Sequence, residues 1–493
     1  MRKVLFRADG STVIGLGHVI RSLALAEMLK AEFHCAFAIQ NPSISLQHEI
    51  LAVCSELILL PEDPTDLEVE LDPYLNGTEI VVLDGYKFGT TYQRRVKNKG
   101  CSLVCIDDIH DYHFLADAVV NHGIVDGSCY SIEPSTVMLL GTDYCLLRKP
   151  FLQSINDDYV PRIGNQAFLC FGGSDILNLT GKYLDWMLQI GELETVHVVV
   201  GSAYQHLVEL QQLQQCHPEG RIQIHYSISA EQMVEVILNC RVAIVPGSTI
   251  AIECASTGIP MMCGYYVGNQ LEIVQMLDKK GLAYTVGDFV KLEERKFAST
   301  VCKLLKQDLK AWHLRSKFYF DGKSQERFLK VFDHLFRIKK ITLRRALESD
   351  LELFFNWAND PAVRMNAINE TLIPYESHCA WFAKKVHSHD SLLYVASTAE
   401  GAFGQVRFDY NDNCYHIDYS INSHMRGRGL GVPMLQSAIC KLYEDLNKPF
   451  TLNAVVKVGN VASEKIFRKL QFTSQGTKRI DGSEYLLFEK KIG

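Results

Sequence analysis

The chain alternates short apolar runs with amphipathic stretches from its first residues. Residues 3–8 form an apolar run without a turn former and predict a buried strand. A loop, Asp9-Gly10-Ser11-Thr12-Val13-Ile14-Gly15-Leu16-Gly17, follows it. From His18 the spacing of Val19, Leu23, Leu25, Ala26 and Leu29 predicts a helix. Strand-like runs recur at 34–39, 56–60, 79–84, 102–107, 117–120 and 137–140. This alternation predicts a parallel sheet with helices on both faces. Residues 146–162 break the rhythm with Pro150, Asp157, Asp158 and Pro161, and read as a crossing between lobes. The rhythm restarts at 167–171, 196–200, 222–226, 242–245 and 260–264. Two consecutive doubly wound lobes, 1–150 and 151–336, are expected, each of ordinary domain size, with a cleft between them. Ligands in such folds sit at the carboxyl ends of the strands.

A helical stretch at 328–336 leads through Arg337-Ile338-Lys339-Lys340 into a new strand at 341–346, with no Gly/Ser/Pro linker. A third domain, 341–493, is expected there, resting against the second. Its first helix carries an apolar stripe at Leu351, Phe354, Phe355 and Ala358, with Ser349 and Glu352 spaced as a capping box. Strands are expected at 392–397, 404–409 and 415–421.

The 493 residues are 47% hydrophobic and 22% charged, the composition of an ordinary globular protein. The formal net charge of −7 argues against a nucleic-acid partner. The 15 cysteines are scattered and form no CxxC pair, which points to reduced thiols in a cytoplasmic protein rather than to disulfides or a zinc site. After Arg2 and Lys3 only three apolar residues precede Arg7, so neither a signal peptide nor membrane insertion is expected.

The candidate chemistry lies where strands end. Gly15 and Gly17 let a ligand approach the start of the first helix, whose free N–H groups attract anions, and His18 places at that mouth an imidazole, the side-chain type suited to proton transfer. Taken alone, two glycines also shape a turn, and His18 also caps a helix. Asp84-Gly85-Tyr86 and Asp107-Asp108 close two further strands, where a single Asp also serves as a helix cap. Gly172-Gly173-Ser174-Asp175 and Pro246-Gly247-Ser248-Thr249 form two turns through which a diphosphate can reach backbone N–H groups. Glu253, one turn further on, can accept hydrogen bonds from ribose hydroxyls, and Asn269-Gln270 offers amides to a sugar.

These residues carry a resemblance. The second lobe resembles the nucleotide-sugar lobe of GT-B enzymes, including the peptidoglycan N-acetylglucosaminyltransferase. Residues 1–330 resemble more closely the UDP-sugar hydrolases of pseudaminic acid biosynthesis. The matching stretches run from Arg7 through Gly17, His18 and Arg21, through Asp84 and Tyr86, from Gly141 through Tyr144 to Arg148, and from Phe171 through Gly172, Gly173, Ser174, Asp175 and Asn178 to Thr180. They continue at Gly247, Ser248, Thr249 and Glu253, at Asn269-Gln270 and at Asp321-Gly322-Lys323. The resemblance implies hydrolysis of UDP-2,4-diacetamido-2,4,6-trideoxy-β-L-altropyranose to UDP and the free sugar, with inversion at the anomeric carbon. His18, Asp84 and Tyr86 would be catalytic, with His18 as general base, and the other motif residues would hold the UDP-sugar. No DxD motif is present, so no required metal is expected.

Further on, Arg426-Gly427-Arg428-Gly429-Leu430-Gly431 stands at a strand-to-helix turn, and Asn460 and Ser463 open a helix ending in Phe467-Arg468-Lys469-Leu470-Gln471-Phe472. Together they resemble the acetyl-CoA site of the GNAT acetyltransferases, a mixed α+β sheet. Trp357-Ala358-Asn359-Asp360-Pro361 and His378-Cys379-Ala380-Trp381-Phe382 resemble the amino-sugar N-acetyltransferase of the same pathway. The implied reaction is acetyl transfer from acetyl-CoA to the 4-amine of a UDP-4-amino-sugar. Phe467 stands where many such enzymes place a tyrosine acid, so water, Ser463 or another hydroxyl such as Tyr419 must supply that proton, or the thiolate leaves unassisted. The fold class expected is thus α/β, a GT-B-like pair of Rossmann-type lobes followed by a GNAT domain. The partners expected are a UDP-sugar, acetyl-CoA and neighbouring enzymes of the sugar pathway. Two rival readings stay open: a UDP-sugar glycosyltransferase fused to an acetyltransferase, and a non-catalytic UDP-sugar-binding scaffold.

Overall fold

The computed structural model of the chain describes residues 2–10, 15–61, 70–133, 135–162, 164–398 and 401–492. Residues 11–14 of the expected first loop therefore lie outside the described residues. Two compact units are present, Met1–Phe332 and Asp333–Gly493, and the division falls within the helix Ser324–Lys340.

Among the described residues unit 1 holds two large parallel sheets and a small two-stranded parallel one, His113–Phe114 with Ser131–Ile132. In the first, β1 (Lys3–Ala8), β2 (His34–Gln40), β3 (Glu56–Leu60), β4 (Ile80–Asp84), β5 (Ser102–Ile106), β6 (Ala118–Asn121) and β7 (Val137–Leu140) line up in the order β3-β2-β1-β4-β5-β6-β7. In the second, β8 (Gln166–Leu169), β9 (Thr195–Val200), β10 (Ile222–Tyr226), β11 (Val242–Pro246), β12 (Met261–Tyr265) and β13 (Tyr284–Asp288) take the order β10-β9-β8-β11-β12-β13. Both orders reverse direction once, between β1 and β4 and between β8 and β11. That reversal opens a crevice at the carboxyl ends of the strands.

The strands read as continuous apolar runs because both faces of each sheet are covered. Phe168, Ala243 and Val245 enter one buried layer with Phe151 and Cys254, while their neighbours Leu169, Val242 and Ile244 enter the opposite layer with Tyr183 and Phe289. Each valine, leucine, isoleucine or phenylalanine among them contributes about 1.5–3 kcal/mol by leaving water. The expected crossing at 146–162 contains a helix, Lys149–Ser154. Pro150 starts that helix rather than breaking one, since the first turn needs no N–H from it.

Unit 2 is one mixed sheet. Its strands are β14 (Thr342–Arg345), β15 (Ser391–Thr398), β16 (Gly401–Asn411), β17 (Cys414–Ile421), β18 (Phe450–Lys457), β19 (Thr473–Ile480) and β20 (Ser483–Ile492), in the order β14-β15-β16-β17-β18-β20-β19. Every pairing is antiparallel except β17 with β18, which touch only at Tyr415–Leu452 and His416–Asn453. Beyond those two pairs the strands diverge and leave a gap. The first helix is Leu351–Ala358, and the expected Ser349 cap is not what organises its start. Asp350 does so: its carboxylate accepts the Leu347 N–H at 2.8 Å and the Arg344 guanidinium at 2.6 and 2.7 Å. Among the described residues no helix is long and apolar enough to cross a membrane.

Candidate functional site

The crevice of the first sheet is built by β1 and β4. Helix α1 (Gly17–Leu29) begins at its mouth, and among the described residues no side chain caps the helix start. The N–H groups of that first turn are therefore available to an anion. Asp84, the last residue of β4, pairs in register with Ala8 of β1 and is fully buried. Its carboxylate collects donors from α1. His18 Nδ1 lies 2.7 Å from Oδ1, Arg21 Nη2 2.6 Å from Oδ1, Arg21 Nε 2.8 Å from Oδ2, and Ser22 Oγ 3.1 Å from Oδ2. Residues 18, 21 and 22 share one helix face, which is why one carboxylate reaches all three.

The charges of this cluster are set by one another. Burial alone would raise the Asp84 carboxyl, but Arg21 and then His18 outweigh it and hold Asp84 below the usual carboxylate range. Burial works against the Arg21 cation, yet Asp84 and Asp108 push its pKa well above the ordinary value. Arg21 Nη1 meets Asp108 Oδ2 at 2.8 Å. With Asp84 ionised, the His18 Nδ1–H donates to it, so the ring presents Nε2 as its basic nitrogen. Arg21 Nη2 lies 3.0 Å from the same Nδ1, but both atoms are then donors and their contact is not a hydrogen bond.

Tyr86 sits edge-on to His18, with ring centroids 4.8 Å apart. Its hydroxyl accepts from Asn269 Nδ2 of the second lobe at 2.6 Å. Desolvation raises the Tyr86 hydroxyl pKa, so the phenol stays protonated.

The second crevice lies between β8 and β11. Gly172 has φ of +93°, and a Cβ on Gly172 or Gly173 would meet no atom within 4 Å, which leaves open space above this turn and beside Ser174. Asp175 closes the turn by accepting the N–H groups of Leu179 and Thr180 at 3.0 and 2.6 Å. Asn178 caps helix α2 (Leu179–Leu188) and accepts the Tyr204 hydroxyl at 2.6 Å. Helix α3 (Thr249–Ser256) starts behind Ser248 without a side-chain cap. Gly247 has a packing reason as well: a Cβ there would lie 2.5 Å from the Gln270 carbonyl and from Val274. The Gln270 side-chain oxygen accepts the Tyr266 N–H at 3.0 Å and so shapes the loop that presents Asn269.

Glu253 is buried in α3, and Arg148 clamps it in a two-point ion pair of 2.6 and 2.7 Å. Sequence reasoning assigned Glu253 without its partner. The two are 105 positions apart, so no local spacing links them. Asp108 was likewise seen only as a strand end, and Arg148 only within a matching stretch.

In unit 2, Gly427 and Gly429 have φ of +75° and +74°, a conformation that favours glycine. A Cβ on Gly427 would meet nothing within 4 Å. Arg426 is held by Asp360 at 2.7 Å and by the Ile421 carbonyl at 2.8 Å, while the Arg428 carbonyl accepts from Arg337 at 2.6 Å. Leu430 precedes the helix Gly431–Leu446, which starts without a side-chain cap. The uncapped N–H groups of such a helix start can receive an anion. Asn460 caps the helix Val461–Lys469 through the Ser463 N–H at 3.2 Å. The Tyr419 and Ser463 hydroxyls lie 2.8 Å apart, with Phe467 one turn beyond Ser463 on the same helix face. Burial raises the Tyr419 pKa to about 12. Asp418 is half exposed and pairs with Arg407 at 3.2 Å.

Comparison with known proteins gives each unit a relation. The acetyltransferase (GNAT) domain family matches residues 340–473. An uncharacterised protein of Methanocaldococcus jannaschii is 22% identical over 419 residues, 80% of each chain, a share larger than unit 1 alone. The UDP-2,4-diacetamido-2,4,6-trideoxy-beta-L-altropyranose hydrolase of Campylobacter jejuni is 23% identical over 290 residues, 57% of this chain and 97% of that protein. Among solved structures, MurG of Acinetobacter baumannii is similar over 68% of this chain and 99% of its own, at 12% identity and a TM-score of 0.46. The spermidine N-acetyltransferase of Vibrio cholerae, in complex with CoA and spermine, is similar over 31% of this chain and 95% of its own, at 17% identity and a TM-score of 0.29. The chain thus carries a C-terminal GNAT acetyltransferase domain behind an N-terminal region related to sugar-nucleotide hydrolase- and glycosyltransferase-like proteins.

Proposed function

We propose that the chain is a bifunctional nucleotide-sugar enzyme of pseudaminic acid biosynthesis. Unit 1 hydrolyses UDP-2,4-diacetamido-2,4,6-trideoxy-β-L-altropyranose to UDP and the free sugar, with inversion. Unit 2 acetylates the 4-amine of the UDP-4-amino-sugar precursor. The observation that carries the first reading is the buried Asp84 carboxylate aimed at His18 Nδ1. This pairing leaves Nε2 to take a proton from water, and it stabilises the imidazolium that results. The uncapped start of α3 and the open turn at Gly172–Gly173–Ser174 offer N–H groups to the departing diphosphate. Glu253, fixed by Arg148, keeps lone pairs for ribose hydroxyls. Asn269, through Tyr86, ties the sugar side of the second lobe to the base of the first.

For unit 2, Gly427, Gly429 and the start of the following helix would hold the pyrophosphate of acetyl-CoA, and Asn460 would face the gap between β17 and β18. Acetyl-CoA supplies the acetyl group. The Tyr419–Ser463 pair is a source of a hydroxyl proton in place of the side chain that Phe467 lacks.

The test is to supply the diacetylated UDP-sugar without any acceptor and follow it by NMR. Hydrolysis predicts UDP and a free sugar of inverted anomeric configuration. UDP release only in the presence of an added acceptor would make unit 1 a glycosyltransferase. Tight UDP binding without turnover would make it a scaffold.

A further inference from the structure

Three donors of different kinds meet in unit 1 that the hydrolytic reading does not use. His110 lies in the turn after β5, Cys129 in the loop after β6, and Glu272 in the first turn of α4 (Leu271–Lys279), one turn on from Asn269. Their ligating atoms lie within 4.8 Å of one another, and His110 Nε2 is 3.0 Å from Glu272 Oε1. No sequence motif links positions so far apart, so a search for CxxC-type spacing passes over them.

The imidazole is fixed in place. His110 has a left-handed φ of +44°. The Asp107 carboxylate accepts the N–H groups of Ile109 and His110 at 3.1 and 2.7 Å, and the ring packs against Tyr130 at 5.4 Å. Its Nδ1 contacts the Ile109 carbonyl. A carbonyl oxygen only accepts, so this contact suits the tautomer that holds the proton on Nδ1. The Nε2 of a neutral ring then turns a lone pair toward a carboxylate oxygen, and two acceptors 3.0 Å apart need a proton or a cation between them. A proton on His110 would satisfy that pair and leave the thiol without a role. A cation uses all three groups. Metal-bound histidines commonly tie their other nitrogen to a backbone carbonyl in this way. The second Glu272 oxygen lies 3.5 Å from Asn121 Nδ2, which helps orient the carboxylate.

We propose that His110, Cys129 and Glu272 form a binding site for a borderline divalent cation, Zn²⁺ by donor chemistry, that ties the two lobes of unit 1 together. Tetrahedral ligation at zinc bond lengths separates donors by about 3.3–3.6 Å. The three donor atoms lie within 4.8 Å of one another, so ligation requires them to close by about 1 Å, and the exposed Cys129 is the least confined of the three. On binding, the Cys129 S–H proton leaves to solvent as the sulfur–metal bond forms, and no electron is transferred. One coordination position stays open to water or to a substrate oxygen. The proton abstraction assigned to His18 does not pass through this site.

The full chain, stripped with a chelator, is titrated with Co²⁺ and then Zn²⁺. One Co²⁺ per chain is expected, with a thiolate-to-cobalt charge-transfer band that Zn²⁺ bleaches. Cys129→Ser is expected to abolish the band and weaken Zn²⁺ at least tenfold in competition with a chromophoric chelator. His110→Gln is expected to keep the thiol and weaken the metal by a similar factor. Cys216→Ser, at another exposed cysteine, is expected to change neither. Absence of the band at stoichiometric Co²⁺, or its survival in Cys129→Ser, would overturn the proposal and leave a protonated His110–Glu272 ion pair.

Discussion

Replacing Asp84 by Asn tests the first site most directly. The substitution keeps the shape and one oxygen but removes the charge on which three donors converge. The amide nitrogen that replaces one oxygen is a donor. Facing His18 Nδ1, it draws that nitrogen into the accepting role and moves the ring proton to Nε2, where the ring cannot take a proton from water. Hydrolysis should fall by about 10²–10⁴, the scale of a lost general base or a wrong tautomer. Stability should fall too. Breaking a buried ion pair costs about 3–5 kcal/mol, and the low end applies here because Arg21 keeps Asp108 at 2.8 Å. UDP affinity should change little, since Asp84 belongs to the first lobe. The assays are UDP release by NMR, UDP binding by calorimetry and urea denaturation. The pH dependence has a defined direction. The folded pKa of Asp84 is lowered, so its stabilisation is present above the unfolded carboxylate range and is lost as pH falls through the folded value. That acid-side loss should be smaller in Asp84→Asn. Turnover within threefold of wild type would refute the role of Asp84 in orienting His18.

Other outcomes are expected on the same grounds. His18→Asn should leave UDP binding intact and lower hydrolysis by about 10²–10⁴, and near-normal turnover would remove His18 from catalysis. Glu253→Ala should weaken UDP by about 1.5–3 kcal/mol while acetyl transfer continues, and unchanged calorimetric affinity would refute the ribose contact. His122 is buried and its Nδ1 accepts the Leu146 N–H at 3.2 Å; burial, aided by Arg21, lowers its pKa from 6.5 to about 4. The unfolded chain therefore binds this proton first, so about 3 kcal/mol of stability is present above pH 6.5 and is lost toward pH 4; a urea series on His122→Gln with an undiminished slope would refute this. Gly429→Glu should abolish acetyl transfer while UDP release from pre-acetylated substrate continues, and loss of both activities with intact circular dichroism would mean a shared site.

The strands of unit 1 were legible because burial on both faces writes them as unbroken apolar runs. Their turns were legible because small residues cluster where the backbone must stay open. What the chain does not display locally is pairing over distance. Arg148 with Glu253 and Arg21 with Asp108 arise only once the sheets assemble. Strand β19 (Thr473–Ile480) gave no signal for a different reason: almost all of it is exposed, so no alternation of apolar and polar positions marks it. It pairs only with β20 at the sheet edge, where its lysine and arginine discourage further pairing. The Ser349 cap does not form because the Asp350 carboxylate takes the Leu347 N–H and both arms of the Arg344 guanidinium, a charged two-point match that a neutral hydroxyl does not offer.

The topology explains why the site stands where it does. In both lobes the first and fourth strands are neighbours, so the loop leaving one meets the residue ending the other. Ala8 pairs with Asp84, which sets the carboxylate beside the start of α1. Strands alternate their side chains, so a slip of one residue between β1 and β4 would turn Asp84 to the other face of the sheet, away from His18 and Arg21. Leu169 pairs with Ile244, which brings the turn at Gly172 and the start of α3 to one side in the same manner. Each register is held by the apolar residues below it, Val4 to Phe6 against Ile80 to Val82 in the first lobe and Ala167 to Leu169 against Val242 to Ile244 in the second. A cavity cut into those strands, far from any proton transfer, is therefore expected to loosen the His18–Asp84 contact through register alone.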